Sequence, residues 1–229
     1  MTPAAEETGE PLALAVDGAG QVSGLYLAPA DARACYVLAH GAGAGMRHPA
    51  LATTARELAA RGVATLRYQF PYMERGGRRP DAPGVCHATV RAAVAAAARL
   101  GPQLPLFAGG RSFGGRMTSQ AQAAAPLPAV RGLIFLGFPL HPAGKPGTER
   151  ARHLQQVQVP MLFVQGTRDE LAGRALLEPV VRALGARAAL HWIEDADHSF
   201  HVRARSGRDD AAARAEVCAA VAGWIGALA

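Results

Sequence analysis

Along the chain, short apolar runs alternate with longer stretches in which apolar residues recur every three or four positions. PLALAV and QVSGLYL stand either side of DGAG, the spacing of an opening hairpin. CYVLAH (35–40), VATLRYQF (63–70), LPLFAG (104–109), VRGLIFLGF (130–138), PMLFVQG (160–166) and AALHWIE (188–194) read as buried strands. Between and after them, helical periodicity covers about 49–61, 85–100, 113–125, 173–184 and 209–228, and 140–159 reads as irregular. Buried strands that alternate with helices predict an α/β fold, a mostly parallel sheet covered on both faces.

Composition narrows this to one domain. The chain has 229 residues, half of them hydrophobic and 6% aromatic, enough for one sizeable core. MTPAAEETGE, residues 1–10, is polar and acidic and reads as a flexible tail rather than a signal peptide, which leaves 11–229 as the domain. The net charge of +6 comes almost wholly from dispersed arginines, with Lys145 the only lysine, so it reads as a solvated surface and not as a nucleic-acid or membrane footprint. AAVAAAARL, the most hydrophobic stretch, is too short to span a bilayer. Three scattered cysteines offer neither a disulfide framework nor metal-ligand spacing. The expectation is a cytoplasmic protein, monomer or homodimer, without cofactor or metal.

Chemistry gathers where an open parallel sheet places it, at the carboxyl ends of the strands. The loops there read HGAGAGM, FPYMERGG, GGRSFGG, FPLHPAGKP, GTRDEL and EDADHSF. Gly110-Arg111-Ser112-Phe113-Gly114 is a G-x-S-x-G pentapeptide between a strand and a helix, the setting of a nucleophile elbow. The flanking glycines remove Cβ atoms that would collide as the chain reverses at Ser112. A serine hydroxyl needs a base, and the base needs an acid to fix its tautomer. Asp169 lies just past the strand PMLFVQG, and His198 follows AALHWIE, giving the chain order Ser, Asp, His.

Other residues compete for these three roles. Glu170 is the alternative acid and His201 the alternative base, while Asp195 and Asp197 stand too near His198 in sequence to curl back onto its ring. His40, in the HG turn, reads as structural. An acyl oxyanion needs two N–H donors, expected from the backbone of Phe113 and of Ala42, with Gly43 the alternative to Ala42. GAGAG lacks the G-x-G-x-x-G spacing and the acidic strand end of a dinucleotide loop.

The order HG, G-x-S-x-G, Asp, His resembles the α/β-hydrolase superfamily near its dienelactone-hydrolase-like branch. More closely, HGAGAGM, FPYMERG, GGRSFGGRM, FPLHPAGKP, LFVQGTRDEL and EDADHSF resemble the α/β-hydrolase-like family that includes a testis-expressed protein and a subunit of the nonspecific-lethal chromatin complex. The likeness runs from about residue 35 to the C-terminus. Dienelactone hydrolases use a cysteine where this chain has Ser112, so their substrate is not carried over. The segment 140–159 is too short for a cap domain, which implies an open site.

The reading is a serine carboxylesterase-like hydrolase acting on a small-molecule ester or thioester. Ser112 is the expected nucleophile, His198 the base and Asp169 its orienting acid. Met46, Tyr72, Phe138, Lys145 and Phe200 are the expected substrate contacts. A half-buried guanidinium at Arg111 needs a carboxylate, and Glu74 is the expected partner in an ion pair supporting the elbow. The rival reading is a non-catalytic scaffold of the same fold that binds a protein partner.

Overall fold

The structure, a computed structural model, describes residues 9–229. The expected tail otherwise lies outside the described residues. β1 (Glu10–Val16) begins one residue before the expected start of the domain, and pairs antiparallel with β2 (Gly20–Leu27) through a Leu14 to Val22 register. Six further strands follow: β3 (Ala34–Ala39), β4 (Val63–Tyr68), β5 (Leu106–Arg111), β6 (Val130–Leu136), β7 (Met161–Gly166) and β8 (Ala188–Ile193). They are mutually parallel, and the sheet order is β1-β2-β4-β3-β5-β6-β7-β8.

The helices are α1 (Pro49–Ala59), α2 (Pro71–Glu74), α3 (Pro83–Leu100), α4 (Phe113–Ala124), α5 (Arg174–Leu184) and α6 (Asp210–Leu228). Every residue of β3, β4 and β7 is buried, as continuous apolar runs covered on both faces require. One layer of core lies between the sheet and α3, α4 and α5, and a second between the sheet and α1 and α6. α6 is long and apolar enough to cross a membrane by length and composition. Here it lays Ala213, Val217, Val221 and Ile225 against the sheet. The expected elements stand within a few residues of their predicted bounds. Four short elements were not expected: α2, a 3-10 helix at Glu149–Gln156 inside the segment read as irregular, and 3-10 turns at Gly185–Arg187 and Ala204–Ser206. Each is too short for periodicity to register.

Candidate active site

The sharp turn at Ser112 is dictated by what its glycines make room for. Ser112 takes φ 48° and ψ −113°, a conformation that L residues rarely adopt. A Cβ at Gly110 would fall on the Ala39 carbonyl oxygen, and one at Gly114 would lie 2.5 Å from the carbonyl oxygen of His40. Larger residues at either position would push β5 and α4 away from β3 and open the turn.

Ser112 Oγ lies 2.9 Å from His198 Nε2, and His198 Nδ1 lies 2.7 Å from Asp169 Oδ2. Asp169 is fully buried at its carboxylate, which has two further hydrogen-bond donors beside His198. Gln165 Nε2 donates to Oδ2 at 2.5 Å, and the Leu171 N–H donates to Oδ1 at 2.8 Å. Gln165 is itself fixed, because its Oε1 accepts the Phe138 N–H at 2.9 Å. With Nδ1 donating to the carboxylate, Nε2 is left as the acceptor facing the serine hydroxyl.

The competing residues are engaged elsewhere. His201 pairs with Asp210 in solvent. Asp197 Oδ1 accepts the Ser199 and His201 N–H groups, closing the turn after His198. The Asp195 N–H donates to Thr167 Oγ1. His40 is buried, accepts the Phe70 N–H at Nε2 (3.1 Å) and faces the Gly41 carbonyl through Nδ1 (2.8 Å). Burial pushes its pKa down to about 4, so it stays neutral and ties the HG turn to the loop after β4.

Beside the serine, an aromatic group of Phe70, Tyr72 and Phe113 braces the elbow, with the Phe113 ring edge-on to both others. Gly43 and Gly45 take positive φ, which lets the 41–45 loop curve past this group. The Gly43 N–H donates to Tyr72 Oη at 3.3 Å. The Ala42 N–H makes no hydrogen bond to a protein acceptor among the described residues, and neither does that of Phe113 at the first position of α4. Ala42, Ser112 and Phe113 line one cleft of about 340 Å³, with Arg116, Met117 and Arg150 on its walls.

The expected substrate contacts scatter. Tyr72 is buried against the elbow. Phe138 is wholly buried among Phe135 and Phe163, because the chain turns inward after β6, and it belongs to the core. Met46 is buried too, with its N–H held by Gln69 and its carbonyl by Arg67. Lys145 is exposed in the loop after β6. Phe200 lines a separate cavity with Arg111 and Leu136.

The Glu74 to Arg111 ion pair does not form. Glu74 instead accepts the Ser23 N–H and hydroxyl at 2.9 and 2.7 Å, bracing the α2 turn against β2. Arg111 Nη2 donates to the His198 carbonyl at 3.0 Å, and its guanidinium lies over the Phe200 ring. Burial lowers the Arg111 pKa, opposed by the charges of Asp169 and Asp197, so this arginine finds its compensation on the histidine loop.

Gln165 was missed by sequence reasoning, although an amide inside PMLFVQG is a signal. A polar side chain in an otherwise apolar, fully covered strand must have partners. Among the described residues, no group of three or more His, Cys, Asp or Glu side chains converges as a metal site would require.

A family model described as an alpha/beta hydrolase domain matches residues 32–226. The chain belongs to the α/β-hydrolase family. Solved structures agree on this hydrolase fold. An alpha-beta serine hydrolase homologue from Coxiella burnetii superposes with a TM-score of 0.73 at 20% identity, covering 92% of this chain and 96% of that one. A serine hydrolase without lid from Xanthomonas campestris gives 0.72 at 21% identity and 94% coverage of both chains. A dienelactone hydrolase from Anabaena variabilis gives 0.72 at 21% identity, covering 96% of this chain and 99% of that one. Within this family's fold the sheet carries no inserted cap domain between β6 and β7.

Proposed function

We propose that this α/β hydrolase is a serine esterase or thioesterase that works through an acyl-enzyme on Ser112. The observation that carries the reading is the continuous chain from Ser112 Oγ through His198 to the buried Asp169, at 2.9 and 2.7 Å, on a strained elbow. In the first half-reaction His198 Nε2 takes the hydroxyl proton as Oγ attacks the carbonyl carbon. The tetrahedral oxyanion is held by the Ala42 and Phe113 N–H groups. Its collapse expels the alcohol or thiol, which leaves with the proton from His198. Water then gives a proton to His198 and attacks the acyl carbon, and release of the carboxylic acid returns the proton to Ser112. Asp169 orients His198 and stabilises the imidazolium.

The neighbours described as serine hydrolases support this chemistry, and Ser112 in place of a cysteine separates this chain from the thiol-using dienelactone hydrolases. We place the protein near the subfamily of the testis-expressed protein and the nonspecific-lethal complex subunit on the strength of its long sequence motifs, and in the cytoplasm on its three scattered, free cysteines. No metal or organic cofactor enters this reaction. A fluorophosphonate probe tests the reading without presupposing a substrate. Covalent labelling of the wild type that is absent in Ser112→Ala supports it, and failure to label the folded wild type overturns it in favour of a binding scaffold.

A further inference from the structure

The cleft beside Ser112 holds a charge arrangement that ester hydrolysis alone does not require. Arg116 stands one helical turn beyond the nucleophile, its N–H bonded to the Ser112 carbonyl at 3.1 Å, so both side chains emerge on the same flank of α4. Its guanidinium lies over the Phe113 ring, and its buried Nε has no hydrogen-bond partner. Arg150, from the 3-10 helix after β6, lines the same cleft and is anchored by a bond from Nη1 to the His141 carbonyl.

Among the described residues, neither guanidinium takes part in an ion pair. The one carboxylate on the cleft wall, Asp81, binds Arg75 through Oδ1 at 2.6 Å and forms no ion pair with either arginine. The nearby titratable groups register the excess positive charge. Burial is the main cause that lowers the pKa of His87 and His153, and Arg116 lowers both further. His153, pushed down to about 4, is held neutral on Ser119 Oγ, leaving the two arginines as the cations facing the site. Two guanidiniums converging on a small cleft form a fork suited to a planar or tetrahedral oxyanion.

We propose that the substrate is an ester or thioester carrying a second, anionic group, a carboxylate or phosphate, which Arg116 and Arg150 bind while Ser112 attacks the acyl carbon. This deepens the serine-hydrolase reading and rests on it. Selectivity between mono-p-nitrophenyl glutarate and the uncharged p-nitrophenyl butyrate tests it. The wild type should favour the glutarate ester by about tenfold or more in kcat/KM, and Arg116→Gln or Arg150→Gln should each remove about tenfold of that preference.

Glutarate and phenyl phosphate as competitive inhibitors distinguish the two anion sources, the tighter one marking the group recognised. Arg150→Gln, in the more exposed side chain, serves where Arg116→Gln fails to fold. A wild type without preference, or substitutions that depress both esters in proportion, overturns the proposal. Where neither ester turns over and the fluorophosphonate fails to label, hydrolysis itself falls. Calorimetric binding of glutarate or phenyl phosphate that is lost in Arg150→Gln then still supports the cationic subsite, and absence of binding to the wild type ends it.

Discussion

Two histidine–aspartate pairs stand three residues apart on the loop after β8, and they have opposite surroundings. His198 meets Asp169 at 2.7 Å with the carboxylate wholly buried, whereas His201 meets Asp210 at 2.9 Å with both side chains more than half exposed. The first aspartate accepts from an imidazole, an amide side chain and a backbone N–H. The second accepts the His201 ring and the Val202 N–H at the first turn of α6, and it pins the loop to that helix. Their mutual hydrogen bond raises the His201 pKa and lowers that of Asp210. This exposed pair contributes below the ordinary histidine pKa and fades as pH rises, screened by water and salt. Identical functional groups thus make a buried chain that ends on a serine hydroxyl in one place and a surface staple in the other. The difference lies in burial and in a serine hydroxyl on the far side of the ring.

The contrast can be broken most severely at the imidazoles. His198→Ala should lower kcat/KM on a short p-nitrophenyl ester by about a thousandfold or more. Equal losses in His198→Ala and His201→Ala would dissolve the comparison.

The acids come next. Asp169→Asn should cost about a thousandfold in turnover, because the amide cannot hold the required tautomer. Asp195→Asn and Asp197→Asn should cost far less, and a larger loss from either means the carboxylate has been misassigned.

A third test sets a buried histidine without an acid beside these pairs. His40, held at about 4 against an ordinary 6.5, stays neutral when folded while the unfolded chain takes up a proton. Its contribution is therefore complete above pH 6.5 and lost as pH falls from 6.5 toward 4, by about 3 kcal/mol in all. Denaturant unfolding across that window should show His40→Gln with a flatter acid limb than the wild type, and a parallel limb would remove the assignment.

Smaller effects sharpen the buried chain. Gln165→Leu should reduce kcat about tenfold with little change in KM, since Asp169 loses one donor. It should also lower stability by about 1–3 kcal/mol by orphaning the Phe138 N–H. Unfolding and steady-state kinetics on the same variant separate the two. Smallest of all, His201→Ala should leave turnover at the wild-type value and lower the melting temperature slightly at acidic pH but not at alkaline pH.

The legible part of this protein is what depends on order along the chain. Apolar runs and helical spacing mark the strands and main helices because burial on both sheet faces imposes them residue by residue. The Gly-Arg-Ser-Phe-Gly elbow and the placement of Asp169 and His198 at successive strand ends are equally one-dimensional signals. The pairing of Arg111 with Glu74 was a guess about neighbours across the sheet edge. It failed because a buried guanidinium can be met by a backbone carbonyl and an aromatic face as well as by a carboxylate. Phe138 and Met46 were read as substrate contacts for their position in strand-end loops, where sequence does not tell an inward-turning side chain from a lining one.

By itself, then, the sequence determined the α/β alternation, the order in which the serine, acid and histidine arrive, and the glycines that let the serine be presented, because each follows from local sterics or local hydrophobicity. Only the tertiary structure decided that Gln165 clamps Asp169, that Arg111 holds the histidine loop, and that Arg116 and Arg150 share a cleft with Ser112. Those contacts join residues from separate elements, and their strength depends on burial and orientation, which exist only once the sheet has brought its strand ends together.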